Sequence, residues 1–188
     1  IKGTVEQINQ LAQQIADLNG RIMQTGGNST LLNNNELLDQ RNLLAEKLSG
    51  LPALSDDSGL CVPALGGEPG VHSAYYAGTE GDRAKRDARN NAKLLAALAG
   101  QADRRAHYYC VLVLARSARD PQPIIAEGEW HGEILPAPRG AGGFGYDPLF
   151  FVPSACCSSA ELPAEQKNAL SHRALAFRRL AERLRAAP

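Results

Sequence analysis

The sequence has no net charge and no long apolar run, and each absence argues against a class of function. Twenty lysines and arginines balance twenty aspartates and glutamates in 188 residues, so no overall field draws the chain to nucleic acid or to a membrane surface. No apolar segment approaches the roughly 20 residues that a membrane span requires. We therefore expect neither a nucleic-acid partner nor a membrane partner, and any affinity for phosphate has to come from a local cluster of charges.

The few cysteines show neither metal-ligand spacing nor a disulfide framework. They are Cys61, Cys110, Cys156 and Cys157, and adjacent cysteines pair poorly with each other. Zinc is therefore not expected, and reduced thiols indicate a cytoplasmic location. The amino end is polar with a helical pattern, unlike a signal peptide, which agrees with that expectation.

The hydrophobic pattern divides the chain into two parts. Within residues 1–50, apolar residues recur at steps of three and four on either side of a break at Gly26–Ser29. This pattern predicts a helical hairpin with a coiled-coil stripe. The longer second part alternates between strand and helix patterns. Strands are predicted at 54–62, 108–115 and 124–134, and helices at 82–98 and 165–186.

A glycine-rich stretch in the second part has the composition of a ligand site. Gly142–Phe150 reads Gly-Gly-Phe-Gly-Tyr-Asp-Pro-Leu-Phe. Glycine permits positive φ and close backbone approach. Phe144 and Tyr146 offer faces on which a base can stack, and Asp147 offers an acceptor for base-edge N–H groups. The alternative on composition alone is a glycine-rich turn whose aromatic side chains belong to the core.

A second segment, Asp56-Asp57-Ser58-Gly59, places two carboxylates next to each other. Carboxylate oxygens are the ligands that Mg²⁺ prefers. Adjacent side chains on a strand point to opposite faces, so at most one normally reaches a common site, unless the bend at Ser58-Gly59 relaxes that limit. The alternative is a simple turn.

A third segment near the carboxyl end carries Lys167, His172 and Arg173 within about two helical turns. Cationic groups here suit a phosphate or a purine carbonyl. The alternative is a charged helical turn that faces water.

Taken together, the three segments resemble the inosine triphosphate pyrophosphatase family. The similarity runs from about Leu51 to about Phe177 and includes Gly70–Ala74, Asn90–Leu95 and Pro138–Gly140. The resemblance implies an α/β fold with a mixed sheet flanked by helices. It also implies a homodimer that hydrolyses inosine, deoxyinosine or xanthosine triphosphate to the monophosphate and pyrophosphate with Mg²⁺.

The resemblance also assigns roles to individual residues. Asp57 corresponds to the catalytic carboxylate, and Asp57 and Asp56 to the residues at the metal. The substrate-binding residues implied in the same way are Ser58, Phe144, Gly145, Tyr146, Asp147, Lys167, His172 and Arg173. Such a pocket favours a 6-oxo purine, because a 6-amino group places a donor where an acceptor is wanted.

Two departures from the family pattern concern phosphate binding. The family's Ser/Thr-x-Asn-x-x-Lys segment, which cradles the triphosphate, does not occur in this sequence. Tyr75 stands where the family usually has arginine. The expected activity is therefore impaired relative to the family pattern.

Residues 1–50 instead resemble a coiled-coil segment of flagellar hook-associated proteins. We therefore expect a hairpin over residues 1–50 and a pyrophosphatase-like domain over residues 51–188, joined naturally or by fusion. The alternative function is a catalytically silent scaffold or coiled-coil interaction protein.

Overall fold

A computed structural model describes residues 52–117 and 120–186. The helical hairpin and the coiled-coil segment predicted for residues 1–50 lie outside these residues. The described residues divide into two compact units, residues 52–55 with 113–117 and 120–124, and residues 56–112 with 125–186. In the part of the chain that the structure describes, we find no helix with the length and apolar character needed to cross a membrane.

Six strands form one sheet in the order β2–β1–β3–β4–β5–β6. The pairs β1–β2, β4–β5 and β5–β6 are antiparallel, with Leu60 opposite Gly70, Ile134 opposite Phe150 and Val152 opposite Cys157. The strands are β1 (Ala53–Cys61), β2 (Pro69–Gly70), β3 (Arg105–Ala115), β4 (Ile124–Ile134), β5 (Phe150–Val152) and β6 (Cys157–Ser158).

Strand β4 shows how the sequence alternation becomes a two-sided sheet. Residues at even positions from Ala126 to Ile134 are buried, and the intervening residues are exposed. β4 continues without interruption through Gly128 and Gly132. An added Cβ would lie 2.0 Å from the carbonyl oxygen of His172 at Gly128 and 2.3 Å from that of Phe151 at Gly132. The two glycines therefore allow close backbone approach.

Three α-helices accompany the sheet among the described residues: α1 (Arg83–Ala97), α2 (Ala164–Leu170) and α3 (His172–Ala186). Helix α1 begins after Asp82, whose carboxylate accepts a hydrogen bond from the Lys85 N–H at 2.9 Å. This is the N-cap arrangement that aspartate favours. Leu94 and Leu98 at the other end are fully buried and anchor the helix in the core.

The single helix predicted over 165–186 is wrong, because it breaks at Ser171. Ser171 has an extended backbone with ψ 154°, and its hydroxyl accepts a hydrogen bond from the Ala174 N–H at 3.3 Å. A serine hydroxyl competes with helix continuation and caps a new helix instead. His172 and Arg173 consequently lie in the first turn of α3.

The buried face of α3 carries small or medium side chains. Ala176 and Leu180 are buried, whereas Phe177 and Leu184 are 44% and 45% exposed. The cause is the contact at Gly128, where an added Cβ would lie 2.6 Å from the Ala176 N. Such a close approach admits a small side chain on the helix and leaves the larger ones outside.

An aromatic cluster lies in the core of the second unit. The ring centroids of Tyr108 and Phe150 are 4.6 Å apart, and those of Trp130 and Phe150 are 5.1 Å apart. Pairs of this kind add about 0.5–1.5 kcal/mol beyond their area burial. Other buried core members are Leu60, Val62, Leu94, Leu98, Ile134, Leu149 and Val152.

In the first unit, the described residues are 52–55, 113–117 and 120–124. The turn between β3 and β4 is closed by Arg116, whose guanidinium donates to both carboxylate oxygens of Asp120 at 2.9 Å each. Asp120 also accepts a hydrogen bond from the Gln122 N–H at 3.0 Å. The carboxylate therefore organises the backbone on both sides of this turn.

Candidate active site

A cavity of about 1140 Å³ lies in the second unit. It brings together the end of β1, α1, the glycine-rich loop (residues 142–149), α2 and α3. Two carboxylates and five cationic side chains line it, and this excess of positive charge favours an anionic ligand. The cationic residues are Arg83, Arg86, Lys167, Arg173 and Arg178, and the carboxylates are Asp87 and Asp147.

The cavity brings most of the predicted site residues together. Those that line it are Ser58, Phe144, Gly145, Tyr146, Asp147, Lys167, His172 and Arg173. Asp56 and Asp57, predicted at the metal, are not among the lining residues. The two carboxylates of β1 are therefore placed differently from the rest of the predicted site.

Asp147 organises the glycine-rich loop from inside. It is 4% exposed. Its Oδ2 accepts hydrogen bonds from the Phe144 N–H at 2.7 Å and from the Lys167 ammonium group, and its Oδ1 accepts one from the Ser159 hydroxyl at 2.9 Å. Gly143 has φ +72°, and a Cβ there would lie 2.2 Å from Asp147 Oδ2. Three of the roughly four acceptor positions of this carboxylate are thus used by the protein itself.

The two aromatic residues of the loop occupy different environments. Phe144 is 55% exposed, and its ring centroid lies 4.5 Å from the Arg83 guanidinium carbon and 5.1 Å from Lys167 Nζ. Tyr146 is buried, and its hydroxyl donates to the Ser73 carbonyl oxygen at 2.9 Å. Burial raises the pKa of Tyr146 well above its usual value. Phe144 is therefore the accessible stacking face, while Tyr146 anchors the loop.

Arg173 joins the first turn of α3 to β1. Its Nε and Nη2 donate to the two carboxylate oxygens of Asp56 at 2.6 and 3.0 Å. Its Nη2 also donates to the Ser58 hydroxyl at 3.2 Å. Hydrogen bonding from Arg173 lowers the pKa of Asp56, and the same contact raises the pKa of Arg173. This two-point ion pair fixes the guanidinium at the cavity wall.

His172 is a neutral member of the cationic segment. Its ring stacks on Tyr108, with centroids 4.8 Å apart and planes 12° apart. Burial, followed by the neighbouring Arg173 charge, lowers its pKa to about 4. Its Nδ1 is buried without a hydrogen-bond partner among the described residues. Near pH 7 Lys167 and Arg173 therefore carry the positive charge of this segment, and His172 does not.

The side chain of Asp57 is exposed on β1 and makes no hydrogen bond or ion pair with the residues that the structure describes. Asp56 and Ser58 on either side of it both contact Arg173. Because side chains alternate along a strand, the Asp57 carboxylate lies on the opposite face of β1. The structure therefore separates the two adjacent aspartates.

The donor atoms on β1 that suit a Mg²⁺ ion are the carboxylate oxygens of Asp56 and Asp57. Among the residues that the structure describes, no three histidine, cysteine, aspartate or glutamate side chains form a metal-binding group. Both oxygens of Asp56 already accept hydrogen bonds from Arg173, whereas those of Asp57 are free. Mg²⁺ is commonly held by one or two carboxylates plus substrate phosphates and water. The free carboxylate of Asp57 can therefore offer a ligand to Mg²⁺, although it lies on the face of β1 opposite Arg173.

Sequence reasoning missed the contribution of α1 to the cavity. Arg83, Arg86 and Asp87 all line it, although no motif pointed to them. The signal that was present is their helical spacing, since residues three and four positions apart share a face. Spacing alone did not reveal which element this face meets.

Comparison with known proteins gives consistent matches. A sequence model of the Ham1 family matches residues 4–183. A dITP/XTP pyrophosphatase of Aromatoleum aromaticum is 62% identical over 144 residues, which are 77% of this chain and 71% of that protein. A dITP/XTP pyrophosphatase of Ralstonia nicotianae is 62% identical over 141 residues, 75% of this chain and 70% of that protein.

Two solved structures share the fold. A HAM1 protein from Coxiella burnetii is 45% identical, with a TM-score of 0.72 over 81% of this chain and 76% of that chain. The Staphylococcus aureus Ham1 protein is 39% identical, with a TM-score of 0.70 over 85% of this chain and 79% of that chain.

Proposed function

Because the chain belongs to the Ham1 family, we propose that it hydrolyses non-standard purine nucleoside triphosphates to the monophosphate and pyrophosphate. The substrates are inosine, deoxyinosine and xanthosine triphosphates, in keeping with the names of relatives that are 62% identical. The observation that carries the proposal is the cavity in the second unit. There the exposed Phe144 ring lies beside the Asp147–Lys167 pair, and cationic side chains outnumber carboxylates in the lining.

The motif-based family prediction and the predicted α/β fold are confirmed by these matches. The family match also includes most of residues 1–50. The separate hairpin over residues 1–50 and the domain over residues 51–188 remain our proposals, as do the homodimer and the cytoplasmic location.

The base is proposed to stack on Phe144 and to meet Lys167 at its edge. Lys167 has three N–H donors and uses one on Asp147. A 6-oxo purine presents an acceptor to the remaining donors, whereas a 6-amino purine presents a donor. Gly145 and Tyr146 hold the loop that carries the ring, and the neutral His172 lines the same pocket.

The phosphates are proposed to lie against the first turn of α3. Arg173 is held there by Asp56 and Ser58, so its guanidinium is oriented before the ligand arrives. The amino end of a helix adds a further positive potential for an anion. This arrangement neutralises part of the charge of a nucleoside triphosphate.

Hydrolysis requires a water oxygen to bond to the α-phosphorus while the α–β anhydride bond breaks and pyrophosphate leaves. We propose Asp57 as the acceptor of the water proton and as the carboxylate that would hold Mg²⁺, with Asp56 as the second carboxylate of that centre, acting mainly through Arg173. Because the Asp57 side chain lies on the face of β1 opposite Arg173, this role requires it to turn toward the phosphates when the nucleotide binds. When bound, Mg²⁺ supplies charge neutralisation at the phosphates.

The test is pyrophosphate release from inosine triphosphate with Mg²⁺, measured beside adenosine triphosphate and an Asp57→Asn variant. We expect release that is selective for inosine triphosphate and lost in the variant. A folded wild-type protein that releases no pyrophosphate would remove the enzymatic proposal and favour the scaffold alternative.

A further inference from the structure

One face of α1 holds the backbone of the glycine-rich loop. Asp87 Oδ2 accepts a hydrogen bond from the Gly145 N–H at 2.9 Å. Asn91 Nδ2 donates to the Gly145 carbonyl oxygen at 3.0 Å. Residues four positions apart lie on the same helical face. Both backbone polar groups of Gly145 are therefore held by side chains of one helix that is more than 50 positions away in sequence.

The same face continues toward the amino end of α1 and reaches the stacking ring. Arg83 is four positions before Asp87, and its guanidinium carbon lies 4.5 Å from the centroid of Phe144. Its Nε is 3.9 Å from Asp87 Oδ2. Arg83, Asp87 and Asn91 thus contact two successive loop residues, the one with the ring and the one after it.

Helix α1 is well anchored by neighbouring side chains of the same face. Leu94 is fully buried, and the Asn90 side chain accepts a hydrogen bond from the Ala77 N–H at 2.7 Å and donates to the Ser73 and Ala74 carbonyl oxygens at 3.3 Å each. Because α1 is fixed in this way, its hydrogen bonds to Gly145 hold the loop in a defined position.

Gly145 lies at a point of the loop where a side chain would meet open space. Gly145 has φ +61°, and nothing lies within 4 Å of where its Cβ would be. Glycine at positive φ has wide conformational freedom. Asn91 Oδ1 is also buried with no hydrogen-bond partner among the described residues. An unpaired buried oxygen is destabilising, so the amide is not placed there for stability alone.

We propose that Asp87 and Asn91 are positioning residues for base selection. By holding the N–H and the carbonyl oxygen of Gly145, they set the distance of the Phe144 ring from the Lys167 ammonium group. That distance decides whether a base stacked on the ring presents its 6-position to Lys167. The inference rests on the proposed function, since it concerns discrimination between 6-oxo and 6-amino purines.

The test compares Asp87→Ala, Asp87→Asn and Asn91→Leu with Asp82→Ala. Asp82 is the matched control, because it is the N-cap of the same helix and its side chain contacts Lys85 and not the loop. For each protein, kcat and KM are measured with inosine and adenosine triphosphates and Mg²⁺. Amide hydrogen exchange of residues 142–146 is followed without nucleotide.

We expect Asp87→Ala and Asn91→Leu to lower the ratio of kcat/KM for inosine over adenosine triphosphate about tenfold, the effect of one lost hydrogen bond. Most of the change falls on KM for inosine triphosphate, and exchange of residues 142–146 becomes faster. Asp87→Asn keeps an acceptor and retains most of the ratio. Asp82→Ala retains the wild-type ratio and loop exchange.

Two results would overturn the inference while the proposed function stands. One is a wild-type ratio in both Asp87→Ala and Asn91→Leu. The other is an equal loss of the ratio in Asp82→Ala, because the effect would then come from the stability of α1. A wild-type protein without selectivity for inosine triphosphate contradicts the proposed function, and the inference falls with it. Should Asp87→Ala fail to fold, Asn91→Leu and Asp87→Asn still decide the outcome.

Discussion

The glycine-rich loop and the end of β1 both carry a predicted site carboxylate, yet the two carboxylates differ in every physical respect. Asp147 in the loop is buried and accepts hydrogen bonds from a backbone N–H, a hydroxyl and an ammonium group. Asp57 on β1 is exposed and free of such contacts among the described residues. A carboxylate whose acceptors are filled by the protein shapes its surroundings, whereas one with free oxygens is available to a metal ion and water.

This difference distinguishes the residues that shape the cavity from the carboxylate that is proposed to react. The base side of the cavity is assembled before any ligand binds, because the loop is held by Asp147 from within and by α1 from outside. On the proposed phosphate side, Asp56 keeps Arg173 oriented, but the side chain of Asp57, the proposed reacting carboxylate, has no hydrogen-bond partner among the described residues. We therefore expect substitutions on the two sides to alter different quantities, rate on one and stability with selectivity on the other.

The largest effect is expected at Asp57. Asp57→Asn keeps the size of the side chain but removes a proton acceptor and a negative charge, and loss of general-base catalysis typically costs about 10²–10⁴-fold in rate. Because Asp57 makes no contact that stabilises the described fold, the free energy of unfolding changes by less than about 0.5 kcal/mol. Pyrophosphate release and urea unfolding measure the two quantities. A large loss of stability in this variant would contradict the comparison.

At Asp147 the opposite balance is expected. Asp147→Ala leaves the partly buried Lys167 and the Phe144 N–H without their acceptor, and breaking a buried pair in this way costs about 3 kcal/mol of stability. Urea unfolding measures this cost. Asp103→Ala is the control, since it removes an exposed carboxylate that pairs with Arg105, and exposed pairs contribute little. Equal unfolding free energies for the two variants would show that the loop does not depend on its buried carboxylate.

Gly128→Ala is expected to have a smaller effect, on both stability and substrate binding. The added Cβ would lie 2.0 Å from the His172 carbonyl oxygen, so α3 has to move, at a cost of about 1–3 kcal/mol. Arg173 moves with it, so KM for inosine triphosphate rises. Gly67→Ala is the comparison, because Gly67 has φ +95° with nothing within 4 Å of its Cβ position. It reports the cost of backbone strain without a clash, and a thermal midpoint no lower in Gly128→Ala would argue against the close approach.

The smallest effect concerns pH and His172. Its pKa is about 4 in the folded protein and about 6.5 in an unfolded chain. Between these values the unfolded state binds more protons, so stability falls as the pH is lowered from about 6.5 to about 4. His172→Phe keeps an aromatic ring against Tyr108 and is expected to reduce this slope of the thermal midpoint. His131→Gln removes an exposed imidazole as the control, and an unchanged slope in His172→Phe would contradict the assignment.

Local sequence was informative wherever neighbours along the chain decide the structure. The alternation in residues 124–134 predicted a strand with the bounds that β4 has, because one face of a strand is read directly from every second residue. Asp82 and the apolar residues after it predicted α1 within one residue at each end. The three motifs together identified the family, which the family match confirms.

Residues whose role depends on distant contacts could not be read in this way. At Ser171 the chain ends one helix and caps the next instead of continuing a single helix. The helix that follows packs closely against Gly128, a contact between residues far apart in the sequence. The low pKa of His172 depends on burial against Tyr108, which is more than 60 positions away in sequence. The exposure of Phe177 and Leu184 also follows from a distant contact, the close approach of α3 to Gly128.

By itself, the sequence determined the alternation of strands and helices, the family and the composition of the site, since these depend on residue types and their spacing. Only the tertiary structure decided which carboxylate is buried and which is free, that His172 is neutral, and that α1 holds the glycine-rich loop. Burial, hydrogen bonding and charge pairing are set by residues far apart in the chain, and no local pattern specifies which of those residues meet.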